Sequence, residues 1–121
     1  MAKVKFIIGE TELEAELRDT PTAKKVLEAL PIESQGSYWG QEFYFHVPFH
    51  ADEEPDATDV VEPGTVAFWP AGDCLCLFWG PTPASQGDEC RAASNVNLVG
   101  RVVNQDDLKK LRATKVRVEA A

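Results

Sequence analysis

The stretch Glu12-Leu13-Glu14-Ala15-Glu16-Leu17-Arg18 alternates charged and apolar residues without a break. Successive side chains of a strand point to opposite faces, so Leu13, Ala15 and Leu17 share one face and the charges the other. That pattern suits an antiparallel sheet with one buried and one wet face. Lys3-Val4-Lys5-Phe6-Ile7-Ile8 reads as a preceding strand, and Gly9-Glu10-Thr11 supplies the turn of a hairpin. A chain that opens this way has to find a partner for its apolar face.

One helix follows. Thr20 can cap free backbone N–H groups, and Pro21 sits where its missing N–H costs nothing. Ala23, Val26, Leu27 and Leu30 recur at the spacing of one buried helical face, Lys24, Lys25 and Glu28 take the wet side, and Pro31 ends the run. Period two then returns. Ile32–Gln35 predicts a short strand, with a turn at Gly36-Ser37. Gln41–Val47 predicts another, with Phe43, Phe45 and Val47 on one side and Glu42, Tyr44 and His46 on the other. Residues 48–63 read as a long acidic loop, a length that in a compact domain marks a mobile or functional segment. Thr65–Trp69 and Cys74–Trp79 are strands joined by the turn Pro70-Ala71-Gly72-Asp73. Gly80–Gly87 is a loop stiffened by Pro81 and Pro83. A β-branched run through Gly100 follows, where glycine within a strand signals a bulge or a close backbone approach. A short helix capped at Asn104 and a strand over Thr114–Glu119 complete the chain. Many short strands with two helices predict one mainly β domain over residues 1–121, a closed barrel of about eight strands with its ends plugged.

Composition narrows the function. At 121 residues one domain can bury a real core, and no apolar run approaches the length of a membrane span. The apolar N-terminal run is shorter than a signal-peptide core, so a cytoplasmic location is expected. The net charge of −8 and the absence of a basic patch argue against nucleic acid. Three cysteines without a secretion signal imply reduced thiols. Cys74 and Cys76 share a strand face as small apolar residues, and Cys90, among polar neighbours, is expected to be exposed. The carboxylates at 52, 53, 54, 56 and 59 lack calcium-loop spacing, His46 and His50 lack helical spacing, and Cys74 and Cys76 have no second ligand pair. No metal and no cofactor is expected.

Three local features carry a likeness: Pro63-Gly64-Thr65-Val66-Ala67-Phe68, the apolar strand at Cys74–Trp79, and Val99-Gly100-Arg101-Val102-Val103 with the helix after it. Together with the element order they resemble the cyclophilins, the β-barrel prolyl isomerases. Trp39-Gly40-Gln41-Glu42-Phe43-Tyr44-Phe45 and Phe78-Trp79-Gly80-Pro81-Thr82-Pro83 resemble more closely a small, atypical cyclophilin-like family of bacteria and archaea. The resemblance implies a cyclophilin-like barrel across nearly the whole chain. It also implies an isomerase arginine on the strand after the first helix and a pocket histidine near Val96. Neither is present: no arginine occurs between Arg18 and Arg91, and Asn95 and Asn97 flank the second place. Arg91 is the arginine left to reach in from its loop.

The aromatic residues around the two hairpins offer a site. Phe68 and Trp69 cannot both face inward, nor can Phe78 and Trp79. By pattern alone Glu42 sits on a solvated outer face; the resemblance gives it a functional role. We therefore expect a binding module whose aromatic groove holds a small molecule or a short, proline-containing peptide. Trp39 and Phe78 would supply apolar contact, Tyr44 and Thr82 hydrogen bonds, and Glu42 a charge anchor, with Pro81 framing the groove. Two alternatives stand beside this reading. One is a weak or divergent prolyl isomerase acting at the same groove. The other is an interaction module whose exposed tryptophan and sheet edge bury against a partner or a second copy in a homo-oligomer.

Overall fold

The structure is a computed structural model that describes residues 2–121. The opening hairpin forms as its alternation requires: β1 (Ala2–Ile8) pairs with β2 (Thr11–Leu17), with Val4 opposite Ala15 and Phe6 opposite Leu13. Helix α1 (Pro21–Ala29) starts at Thr20, whose Oγ accepts from the Ala23 N–H at 3.1 Å, and Pro21 occupies the first turn. β3 spans Ile32–Tyr38, β4 Glu42–His46, β5 Thr58–Val61, β6 Thr65–Trp69, β7 Cys74–Phe78, β8 Cys90–Val102 and β9 Lys115–Ala120.

Eight of these strands form a closed antiparallel ring in the order β1-β9-β3-β4-β7-β6-β8-β2, sealed by the β2–β8 pairing. The barrel interior is filled from alternate positions, among them Phe6, Leu13, Phe43, Phe45, Phe68 and Leu77. α1 adds Ala23 and Val26 to that core, and a 3₁₀ helix (Gln105–Lys110) with the residue after it adds Leu108 and Leu111. β2 and β8 are antiparallel, and each helix leaves the C-terminal end of one of them, so the two plug opposite mouths.

Four local expectations change. The strand expected to stop at Gln35 continues through Gly36-Ser37 to Tyr38. Gly36 is a packing glycine: a Cβ there would lie 2.4 Å from the Phe43 ring. The 48–63 segment is not a continuous loop, since it contains β5 and is pinned by buried polar contacts described below. The helix after β8 is a 3₁₀ helix, and Asn104 does not cap it through its side chain. Asn104 instead ties the segment to β2, accepting from the Glu14 N–H at 2.9 Å and donating to the Glu12 carbonyl at 3.0 Å. Cys90 is buried, only 1% exposed.

Gly100 behaves as its place in a strand suggests. β8 passes between β2 and β6 there, facing Leu17 on one side and Val66 on the other. The register with β6 shifts between Val66 and Ala67, and a Cβ at Gly100 would fall 2.2 Å from the Glu16 carbonyl oxygen.

The barrel has a second layer outside it. The first part of β8, Cys90–Val96, pairs with β5 rather than with the ring, and the two lie over the outer face of β6 and β7. Between the layers is a second, smaller core of Val61, Ala67, Cys76, Phe78, Ala92 and Val96, with other small residues. This is why β7 is buried along its whole length: Leu75 and Leu77 face the barrel, Cys74, Cys76 and Phe78 the overlying strap. The same parity separates the aromatic pairs. Phe68 and Trp79 pack on the barrel core, whereas Trp69 and Phe78 belong to the outer one.

Candidate functional site

The strap does not cover the outer face completely. Between its edge and the barrel's outer face lies a cavity of about 210 Å³, lined by Trp39, Glu42, Tyr44, Trp69 and Cys76 on the barrel side and by Ala92, Ala93 and Val96 of β8 on the strap side. β4 presents Glu42 and Tyr44 on the same outward face, and Tyr44 stands opposite Cys76 of β7. Trp69 comes from the end of β6, and its indole N–H donates to the Ser94 hydroxyl at 2.6 Å, fastening the strap to that wall.

Trp39 is placed by a tight turn. Gly40 has φ +62°, a left-handed conformation that costs glycine nothing, and a Cβ on it would come within 2.7 Å of the Thr82 backbone. The absent side chain lets the 81–83 segment pack directly on the turn. The Gln41 N–H donates to the Pro81 carbonyl at 2.9 Å, and the Trp79 N–H to the Gln41 carbonyl at 3.0 Å. The two sequence segments that carry the closer family likeness are thus bound to each other through their backbones beside the cavity.

Glu42 is the unusual group. It is 5% exposed, and its Oε1 is buried with no hydrogen-bond partner. An unpartnered buried polar atom is costly and rare in a folded protein. Burial pushes its carboxyl up to about 7, and the neighbouring Cys76 thiol offsets only part of that rise. The Glu42 carboxyl in turn helps to hold the Cys76 thiol well above its ordinary range, after burial itself, so Cys76 is a neutral thiol in the cavity lining.

The six residues expected from sequence divide evenly. Trp39, Glu42 and Tyr44 line the cavity. Phe78, Pro81 and Thr82 do not. Phe78 is wholly buried in the outer core. The Pro81 carbonyl holds the Gln41 N–H. Thr82 latches its loop to the strap, its hydroxyl donating to the Arg91 carbonyl and its N–H to the Ser85 hydroxyl at 2.9 Å. Trp69, one of the clustered aromatics that could form apolar pocket walls, lines it too, and Cys76, Ala92, Ala93 and Val96 complete the wall without having been expected there. Parity along β7 puts Cys76 on the face of Phe78, but nothing in the sequence shows that residues 92–96 fold back over it. Val96 brings a methyl-lined surface to the place where the cyclophilin likeness implies a histidine.

Arg91 points elsewhere. Its Nη1 donates to Asp59 of β5 at 3.0 Å and its Nε to Glu89 at 3.0 Å. Glu89 also accepts the Gln86 and Gly87 N–H groups at 2.8 Å each, contacts that lower its carboxyl to about 2. No arginine, lysine or histidine among the described residues lines the cavity. Among the described residues, no group of three His, Cys, Asp or Glu side chains is placed to hold a metal, and no helix is long and apolar enough to cross a membrane.

Comparison with other proteins agrees with this architecture. The profile of the family described as Cyclophilin-like matches residues 2–119, and the chain belongs to that family. It is similar to the hypothetical protein AF2241 from Archaeoglobus fulgidus, with 36% identity over 99% of this chain and 95% of that one, at a TM-score of 0.83. It shares its fold with McbB, solved in complex with tryptophan, at 16% identity and a TM-score of 0.66. That alignment covers 97% of this chain and 44% of McbB. No curated protein matches the chain.

Proposed function

We propose that the protein is a binding module whose ligand is a small molecule, or the single ring of a short peptide, held in the cavity between β4, β6 and the strap. The observation that carries this reading is the buried Glu42 carboxyl, whose Oε1 has no hydrogen-bond partner, at the base of aromatic walls. Ligand pockets are largely apolar concavities with a few convergent polar groups, and this one has that form. An apolar cavity of about 150 Å³ takes benzene, so the ~210 Å³ here suits one substituted ring. Trp39 and Trp69 offer aromatic surface for that ring, and Glu42 offers the polar anchor.

Binding is favoured over prolyl isomerisation at the same place. Twisting an X–Pro bond faces a barrier of ~20 kcal/mol, which a donor to the prolyl nitrogen lowers. The cavity wall supplies no cationic donor, and binding ground and transition states alike gives no rate.

The test is amide-shift NMR with indole, tryptophan and a Gly-Pro dipeptide as probes. Shifts confined to residues 39–44, 69, 76 and 92–96 are expected for at least one probe. Trp39→Ala should weaken that binding by about tenfold or more, as loss of a central aromatic contact does, while thermal unfolding stays cooperative. Unchanged affinity in that variant, or no shifts at these residues, overturns the reading.

A further inference from the structure

We propose that the ligand of this cavity carries a protonated amine or comparable basic nitrogen beside its ring, and that this nitrogen pairs with the Glu42 carboxylate. The inference rests on the cavity being a binding site and adds the chemical class of its occupant.

Three observations converge on a cation. Glu42, the only acidic group among the described residues lining the cavity, has a buried Oε1 with no hydrogen-bond partner in the protein, which a ligand's N–H can satisfy. The walls are two tryptophans and a tyrosine, whose ring faces attract a cation through their quadrupoles. Among the described residues, no positive side chain lines the cavity to compete for the carboxylate or to receive an anion, and the net charge of −8 opposes anionic ligands at longer range.

The titratable groups around Glu42 leave the cation as its natural partner. From β7 it meets the Cys76 thiol and, farther along, that of Cys74; on its own strand Tyr44 shares its face, and His46 stands at the exposed far end. Trp69 from β6 and Ala92, Ala93 and Val96 from β8 carry no charge. Glu42 alone is held near neutrality by burial, while the two thiols stay protonated. Pairing with an ammonium favours the ionised carboxylate, so binding below pH 7 releases a proton from Glu42, and affinity rises with pH.

The experiment compares 2-phenylethylamine, 2-phenylethanol and phenylacetate, three ligands of one ring and one short arm. Each is titrated into the intact protein at pH 6 and pH 8, read by amide shifts and by calorimetry in buffers of differing ionisation enthalpy. The amine should bind at least about tenfold more tightly than the alcohol at pH 8, the margin expected of a charge-assisted contact. Its affinity should fall by about tenfold at pH 6, with proton release in that range. Glu42→Gln, of the same shape, should abolish both the preference for the amine over the alcohol and the proton release, while thermal unfolding stays cooperative. Equal or tighter binding of the alcohol or of phenylacetate, or amine binding without proton release, overturns the inference and leaves the site standing. No shift at the cavity residues with any of the three overturns the site and the inference together.

Discussion

Glu42 holds its proton at a pH where most carboxyls have lost it, and that preference is a statement about stability. The carboxyl rises from 4.5 to about 7 in the fold. At about 1.4 kcal/mol per pH unit, ionising it in place costs the folded state on the order of 3 kcal/mol relative to the unfolded chain. The sign follows from the direction of the shift. The folded state binds this proton more tightly, so the contribution is complete below pH 4.5, declines as the pH rises, and is gone above about 7. Glu42→Gln removes the titration without changing the shape. Urea unfolding should show the variant more stable than the parent by roughly 2–3 kcal/mol at pH 8 and close to it at pH 4.5. An equal difference at both values would mean that the carboxyl titrates normally. The sequence placed Glu42 on the outer face of its strand, which is correct. It could not show that this face is roofed, because period two reports the side of a strand and not what lies above it. Cys90 was misjudged for the same reason: its neighbours in sequence are polar, while its neighbours in space are the outer core.

At the level of elements, the acidic segment before β5 shows how a long connection can be held without secondary structure of its own. Asn97, wholly buried in β8, accepts from the Glu54 N–H at 2.8 Å and donates to the Thr22 hydroxyl at 3.0 Å and the Asp52 carbonyl at 2.9 Å. The Glu54 carboxylate in turn takes the Thr22 N–H at 3.0 Å and its hydroxyl, at the first turn of α1 where an acidic group is favourable. Phe49 stacks on Phe68 at 5.4 Å, and Ala51 joins the barrel core. One asparagine therefore fastens the loop and α1 to β8 with every polar atom of its side chain engaged. Asn97→Ala should cost about 2–4 kcal/mol, the range for stranding several buried partners, and should speed proteolysis within residues 50–57 before the barrel unfolds. Intact resistance there would assign the anchoring to Phe49 and Ala51 instead. The hairpin, α1 and the β6–β7 pair were legible in the sequence because each carries its own period and turn. β5 was not, since Thr58–Val61 is four residues inside an acidic run and exists by pairing with a distant strand. The two motifs that meet beside the cavity were likewise legible as segments, but their contact depends on Gly40 leaving room for Thr82.

The molecule as a whole is a closed barrel with a partial second wall, and the cavity lies between the two. The layers differ in how they are held. Every ring strand has two neighbours within the ring, so opening one breaks at least two ladders. β5 pairs with β8 alone, and the first part of β8 has only β5 for a ladder. The core beneath this strap is built largely from small side chains such as Ala67, Cys76 and Ala92, whereas the barrel is filled by Phe6, Phe43, Phe45 and Phe68. Stability is distributed unevenly where burial and hydrogen bonding are. Native-state hydrogen exchange should therefore resolve two classes of amide. Those of β5 and of residues 91–96 should exchange through a local opening of lower free energy, and those of β1 and β2 only with global unfolding. A ligand bound between the layers stabilises the closed strap by mass action. If the proposed site binds 2-phenylethylamine and releases it by opening of the strap, saturation should slow exchange in the first class more than in the second. A single class, with all amides exchanging at the global free energy, would mean that strap and barrel unfold as one body. The cavity would then be a rigid slot whose ligand enters past Trp39 rather than beneath the strap.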